Sequence, residues 1–102
     1  MTPSGPFRIS YSGFQRQRIR ELGKRAASAG RREDFLAALT HVTTQLTSNP
    51  IAFGDQTHTL QGMGLPIYTR IYSIIIVRYG VDVSKRTVYL QSIDLFPTDL
   101  GA

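Results

Sequence analysis

The pattern of apolar and polar positions begins with a short strand pattern that leads into a helix. Residues 7–11 alternate between apolar and polar side chains, which predicts a half-buried strand. Ser12 and Gln15 have the spacing of a capping box, in which two side chains satisfy free backbone donors at a helix N-terminus. We expect this helix to run to about Ala29, with Gly30 as a left-handed stop.

Apolar positions then recur at helical spacing through two consecutive segments. At about 100° per residue, one narrow stripe of the first helix consists of Gln15, Ile19, Leu22, Ala26 and Ala29. A basic ridge on roughly the opposite side consists of Arg16, Arg20 and Lys24. The second helix starts near Arg32, ends at Ser48–Pro50, and has its stripe at Phe35, Leu39, Val42 and Leu46. The short connection predicts an antiparallel helical hairpin.

The second half of the chain has the pattern of a sheet. Residues 51–64 are predicted to be mostly loop, with a short extended piece at 57–60. Three strands follow in succession, at 66–72, 74–79 and 86–96. Alternation along the last strand predicts that Ile93 and Leu90 lie on opposite faces. The order β-α-α-β-β-β predicts an α+β fold, with an antiparallel sheet of about four strands and the helical hairpin packed on one face.

Length and charge narrow the range of functions. The 102 residues suffice for one domain at 7–97, which leaves a Pro- and Gly-rich flexible leader at 1–6 and a short tail at 98–102. Without cysteine the chain has no disulfide, thiolate metal site or Cys nucleophile. The net charge of +5 lies entirely in residues 1–34, which hold eight Lys and Arg against three Asp and Glu. This asymmetry indicates either an acidic partner or a solvated, solubilising helix face.

The same pattern contains no signal for export or membrane insertion. The first fifteen residues have no apolar core of signal-peptide length, and the aliphatic run 74–77 is too short to cross a bilayer. We therefore expect a cytoplasmic protein that does not associate with a membrane.

Candidate chemistry is confined to one group of side chains, because phosphate-binding glycine loops, metal-binding histidine pairs and nucleophile elbows are missing from the sequence. His41 is predicted to be a surface residue and His58 to lie in the loop before the sheet. The candidate site is one face of the sheet, with Tyr68, Arg70 and Tyr72 on one strand and Arg78 on its neighbour. Tyrosines and arginines on a sheet can stack on bases and pair with phosphates. Alternatively, the tyrosines line the core rim while the arginines pair with Asp94, Asp82 or solvent.

With this element order, the chain resembles the RelE/ParE superfamily of type II toxin–antitoxin toxins from Phe7 to Pro97. The stretches that carry the resemblance are 7–12 before a basic helix, 60–62, 67–72, 74–79 and 86–93. RelE-like members cut ribosome-bound mRNA with basic and Tyr or His side chains on the sheet, whereas ParE-like members inhibit DNA gyrase. The resemblance implies an antitoxin partner, a target on the ribosome or gyrase, and neither metal nor small-molecule cofactor.

The residues match the nuclease pattern of the family only in part. Arg70 stands at a basic position of the nuclease site, and Arg78 lies two residues beyond Ile76, where the family has its next basic residue. The basic C-terminal segment of the family is replaced by 94–100 (DLFPTDL). The resemblance therefore makes Arg70 and Arg78 candidate catalytic residues. The candidate binding residues are Tyr68, Tyr72, Arg16, Arg20 and Lys24. A non-catalytic toxin-like protein that binds a protein target and a degenerate binding module remain alternatives.

Overall fold

The computed structural model of the chain describes residues 6–60 and 64–96. Within these ranges, three helices lie on one side of a five-stranded sheet, so the α+β class and the hairpin on one face are confirmed. The elements in chain order are β1 (Arg8–Ser10), α1 (Gly13–Ser28), α2 (Arg32–Ser48), α3 (Pro50–Phe53), β2 (Asp55–Leu60), β3 (Leu65–Tyr72), β4 (Ile75–Asp82) and β5 (Thr87–Leu95). The predictions made for 1–5, 61–63 and 97–102 lie outside the described residues.

The sheet has the order β1-β5-β4-β3-β2 and is mixed rather than antiparallel. Strands β2 to β5 form antiparallel neighbours, but β1 pairs parallel to β5, with Ile9 opposite Val88. The predicted antiparallel pairing is therefore confirmed for β3, β4 and β5 but wrong for β1, and the described sheet has five strands rather than about four. Parallel neighbours need a long crossover, and here the helices and three strands between β1 and β5 provide it.

The additional strand, β2, and the additional helix, α3, both lie in the segment that was predicted to be mostly loop. Pro50 occupies the first turn of α3, where its missing N–H costs no hydrogen bond. Strand β2 pairs with β3 at the sheet edge, with an irregularity between Gln56 and His58. The predicted extended piece at 57–60 is part of this strand, and His58 is in the strand rather than in a loop.

The predicted ends of α1 hold, although one of the capping contacts differs. Ser12 Oγ accepts a hydrogen bond from the backbone N–H of Gln15 at 3.2 Å. The Gln15 side chain does not complete the box; its Nε2 donates to the backbone oxygen of Gln91 at 2.6 Å. At the other end Gly30 has a φ of 72°, and Arg31 N–H donates back to the carbonyl of Ala26 as in a Schellman motif.

A bulge in β5 changes which of its side chains face the helices. Arg78 opposes Ser92 while the next residue of β4, Tyr79, opposes Leu90, so Gln91 is left over. The simple alternation predicted for 86–96, which put Ile93 on the face opposite Leu90, is therefore wrong. Both residues pack against the core, Ile93 fully and Leu90 partly. The bulged carbonyl is the one to which Gln15 donates, so α1 is attached to β5 at this point.

The core lies between the helical hairpin and one face of the sheet. Its centre contains completely buried residues from four elements: Leu22, Phe35, Ile75, Val77, Tyr79 and Val88. In the part of the chain that the structure describes, no helix is long and apolar enough to cross a membrane.

Candidate nucleic-acid interface

The two candidate catalytic arginines lie on opposite faces of the sheet. In the antiparallel pair β3 and β4, Arg70 is directly opposite Val77, and Arg78 is directly opposite Thr69. Opposed residues in such a pair point to the same side. Because Val77 belongs to the core under the helices, Arg70 is on the helix side, whereas Arg78 is on the other, open face. The expectation of one sheet face with both arginines is thus corrected.

Arg70 remains accessible although it is on the helix side. Its guanidinium carbon lies 5.2 Å from the centre of the Phe53 ring, a cation–π distance, and its side chain is exposed. Phe53 is held by α3, the single turn that follows α2. Helix α3 therefore places the Phe53 ring against the guanidinium, and we call this ring the Phe53 platform. The prediction of a loop in this segment missed it.

Two further rings complete a cluster around this platform. The His41 ring stacks on Tyr72 with a centroid distance of 4.1 Å and an angle of 15°. Phe53 lies 6.0 Å from His41 and 6.4 Å from Tyr72. We call His41, Phe53, Arg70 and Tyr72 the His41 cluster. It brings an imidazole, a phenol and a guanidinium together from three elements: α2, α3 and β3.

His41, like Phe53, is a residue of this cluster that the sequence prediction missed. It was predicted to be a surface residue, yet it is half-buried under Tyr72. Buried Ala38 lies three residues before it and half-buried Gln45 lies four residues after it, so the three share one flank of α2. The Ala38–His41–Gln45 spacing was the sequence pattern that could have predicted the partial burial of His41. It is weak because the flank becomes covered only where α3 and β3 meet it.

Tyr68 lies in the core beside the cluster rather than on its surface. Its ring stacks on Tyr79 with a centroid distance of 5.6 Å, and 7% of the residue is exposed. The Tyr79 hydroxyl donates to the carbonyl of Pro50 at 2.6 Å. Burial, and next the neighbouring Tyr68, raises the pKa of the Tyr79 phenol above its ordinary value. This pair fixes α3 to the sheet and thereby supports the Phe53 platform.

The predicted basic ridge forms a second, separate surface on α1. Arg16, Arg20 and Lys24 are all exposed and follow one another at intervals of four residues. The guanidinium carbon of Arg16 lies 5.5 Å from the ring centre of Tyr11. No residue of the ridge belongs to the His41 cluster, so the predicted binding residues divide between two surfaces.

The acidic partners that were considered for Arg70 and Arg78 have other contacts. Asp94 accepts from Arg18 at 2.9 Å. Asp82 accepts from the Ser84 hydroxyl at 2.7 Å and from the backbone N–H of Lys85 at 3.1 Å. The bond from Ser84 is the main cause that lowers the pKa of Asp82. Within residues 6–60 and 64–96, neither Arg70 nor Arg78 forms an ion pair.

In the described ranges, no group of three or more His, Asp or Glu side chains is placed to hold an ion.

The chain was compared with protein-family models, curated proteins and solved structures, and none of them matches it. Fold and site together define an α+β protein with a helical hairpin on a five-stranded mixed sheet and an aromatic–basic cluster at the β3 end of the helix side.

Proposed function

We propose that the protein is a RelE/ParE-like toxin that acts on RNA, and that the His41 cluster is the surface that binds the RNA. The observation that carries the proposal is the placement of the exposed Arg70 guanidinium on Phe53, beside the stacked His41 and Tyr72 rings. This arrangement combines a phosphate-binding cation with aromatic side chains, as in proteins that bind single-stranded nucleic acid.

Each group in the cluster has a role in this proposal. Arg70 pairs with a phosphate and stabilises the charge that develops on it during cleavage. The half-buried His41 and Tyr72 present ring edges to a base or ribose, and both carry atoms that exchange protons. Phe53, which is 8% exposed, holds the guanidinium rather than contacting RNA. Arg78 is excluded from the site because it is on the open face.

The test is expression of the chain in bacteria, with growth and mRNA integrity measured together. The proposal predicts growth arrest and fragmented transcripts, and predicts that Arg70→Ala abolishes both effects. Arg78→Ala is the matched control, since it removes an exposed arginine from the neighbouring strand on the opposite face. Intact transcripts during growth arrest would contradict the proposal that the protein acts on RNA.

A non-catalytic toxin that binds an acidic protein target is the second candidate. It is favoured by the exposed ridge of Arg16, Arg20 and Lys24, because three cations at intervals of four residues form one continuous positive strip. This candidate predicts growth arrest with intact mRNA and loss of toxicity when the ridge is neutralised. Full gyrase activity in the presence of the protein would exclude the gyrase version. Normal growth on expression would leave only a non-toxic binding module.

An antitoxin is the partner that either version of the proposal implies. The ridge on α1 offers an acidic segment a complementary surface, and association through it would weaken with added salt. Co-expression with the neutralising partner should restore growth without changing the amount of the protein. A partner that restores growth only by removing the protein would contradict this form of neutralisation.

A further inference from the structure

An apolar cavity of about 290 Å³ lies between the hairpin and the β1 side of the sheet. It has walls from β1, α1, α2, β4 and β5, and it shares no residue with the His41 cluster. Its volume is about twice that of a cavity of roughly 150 Å³ that holds a benzene ring. The cavity is therefore large enough for the apolar part of a small ligand.

The core is incompletely packed around this cavity. Among the residues that the structure describes, five hydrophobic ones pack against the core and are only partly buried, and four of these line the cavity: Ile9, Ile19, Leu39 and Leu90. The fifth, Tyr72, belongs to the His41 cluster. Four separate elements thus leave apolar surface open at one site. Covering this surface with an apolar ligand removes it from water, which favours binding.

Positive charge lies at the mouth of the cavity. Arg16 and Arg20 line it from α1, and both side chains are exposed, so their stems border the apolar walls while the charged ends reach solvent. In the described ranges, neither guanidinium forms an ion pair. Tyr11 and Thr43 add hydroxyl groups to the lining. An apolar interior below two arginines is complementary to an amphiphile with one anionic head.

We propose that this cavity binds a medium-chain carboxylate, with the alkyl chain among the aliphatic side chains and the carboxylate at Arg16 and Arg20. The carboxylate accepts charge-assisted hydrogen bonds from the guanidinium groups. Each methylene that enters the cavity raises affinity about fourfold until the cavity is full. This site is independent of the RNA proposal, because it uses a different surface and requires no cleavage.

The experiment is a titration of the purified chain with octanoate, followed by the methyl NMR signals of Ile19, Leu39 and Leu90. We expect saturable one-to-one binding below the micelle-forming concentration, weaker binding of hexanoate, and shifts confined to the cavity methyls. 1-Octanol should bind about tenfold more weakly, because it lacks the charged head. Signals that shift without saturation, or octanol that binds as tightly as octanoate, would overturn the proposal.

Variants separate the head-group contact from the cavity. The double variant R16Q/R20Q should lower octanoate affinity about tenfold, whereas the matched pair R25Q/R32Q, two exposed arginines outside the ridge, should keep it within about twofold. Leu39→Phe places a larger ring in the cavity and should weaken octanoate binding while the thermal melt stays cooperative. Equal affinity of the two charge variants, or undiminished binding by Leu39→Phe, would contradict the site. Absence of octanoate binding to the unmodified chain would likewise refute it.

Discussion

Removing the Tyr79 hydroxyl tests the contact that holds α3 to the sheet. The Tyr79 side chain is completely buried, and its hydroxyl donates to the carbonyl of buried Pro50 at 2.6 Å. In Tyr79→Phe the ring remains in place, but the carbonyl loses this donor in a site that water does not reach. Leaving a buried acceptor unsatisfied costs about 1–3 kcal/mol. For a domain of this size, each kcal/mol lowers Tm by roughly 4–8 °C.

The assay is urea and thermal unfolding of Tyr79→Phe beside Tyr89→Phe. Tyr89 is a half-buried tyrosine of β5 whose hydroxyl has no hydrogen-bond partner in the described part of the chain, so its loss should change the free energy of unfolding by less than about 0.5 kcal/mol. If the two variants are equally stable, the Tyr79–Pro50 bond does not hold α3, and our account of the Phe53 platform fails.

Three further predictions concern the same core and the helix ends. Burial raises the pKa of Tyr79 above its ordinary 10.0, so the stabilisation that depends on the neutral phenol is complete below pH 10 and is lost as the pH rises further. Above pH 10 the free energy of unfolding should fall by about 1.4 kcal/mol per pH unit, and less steeply in Tyr79→Phe. Gly54→Ala places a Cβ 2.5 Å from the Tyr79 hydroxyl, so it should destabilise by about 1–3 kcal/mol in urea unfolding, and a neutral effect would contradict the packing. Ser12→Ala removes the cap of α1 and should cost about 1 kcal/mol, whereas Ser28→Ala at the other end should cost less; equal losses would argue against the cap.

The helices were predictable from sequence because their signals are local. Ser12 and Gly30 mark the ends of α1 by chemistry that needs only neighbouring residues, and the apolar stripe of α2 recurs with the helical period. The structure therefore confirms both helices close to their predicted bounds.

The sheet was harder to predict because its pairing is not local. Nothing between residues 7 and 11 specifies that β1 pairs parallel to β5. The bulge at Gln91 shifts the alternation of β5. The residue that hydrogen-bonds to the bulged carbonyl is Gln15, which is far away in the sequence, so no local pattern predicts the bulge. The polar sequence of β2 lacks the alternating apolar residues that identify a half-buried strand.

The candidate site was predictable in part of its composition but not in its geometry. The alternation of β3 correctly put Tyr68, Arg70 and Tyr72 on one face. Which side of the sheet that face occupies depends on the register with β4, and this register separates Arg70 from Arg78. His41 and Phe53 join the site only through tertiary packing, so neither residue stood out in its own segment.

Binding of a single-stranded RNA oligonucleotide to Arg70→Ala and Arg78→Ala, measured by fluorescence anisotropy over a range of salt concentrations, tests the central claim most directly. If the His41 cluster binds the RNA, Arg70→Ala should weaken binding and reduce the slope of log K against log salt by about 0.7, the value for one phosphate contact. Arg78→Ala should match the unmodified protein. Loss of binding and slope in Arg78→Ala, with Arg70→Ala unaffected, would place the RNA on the open face and contradict the account.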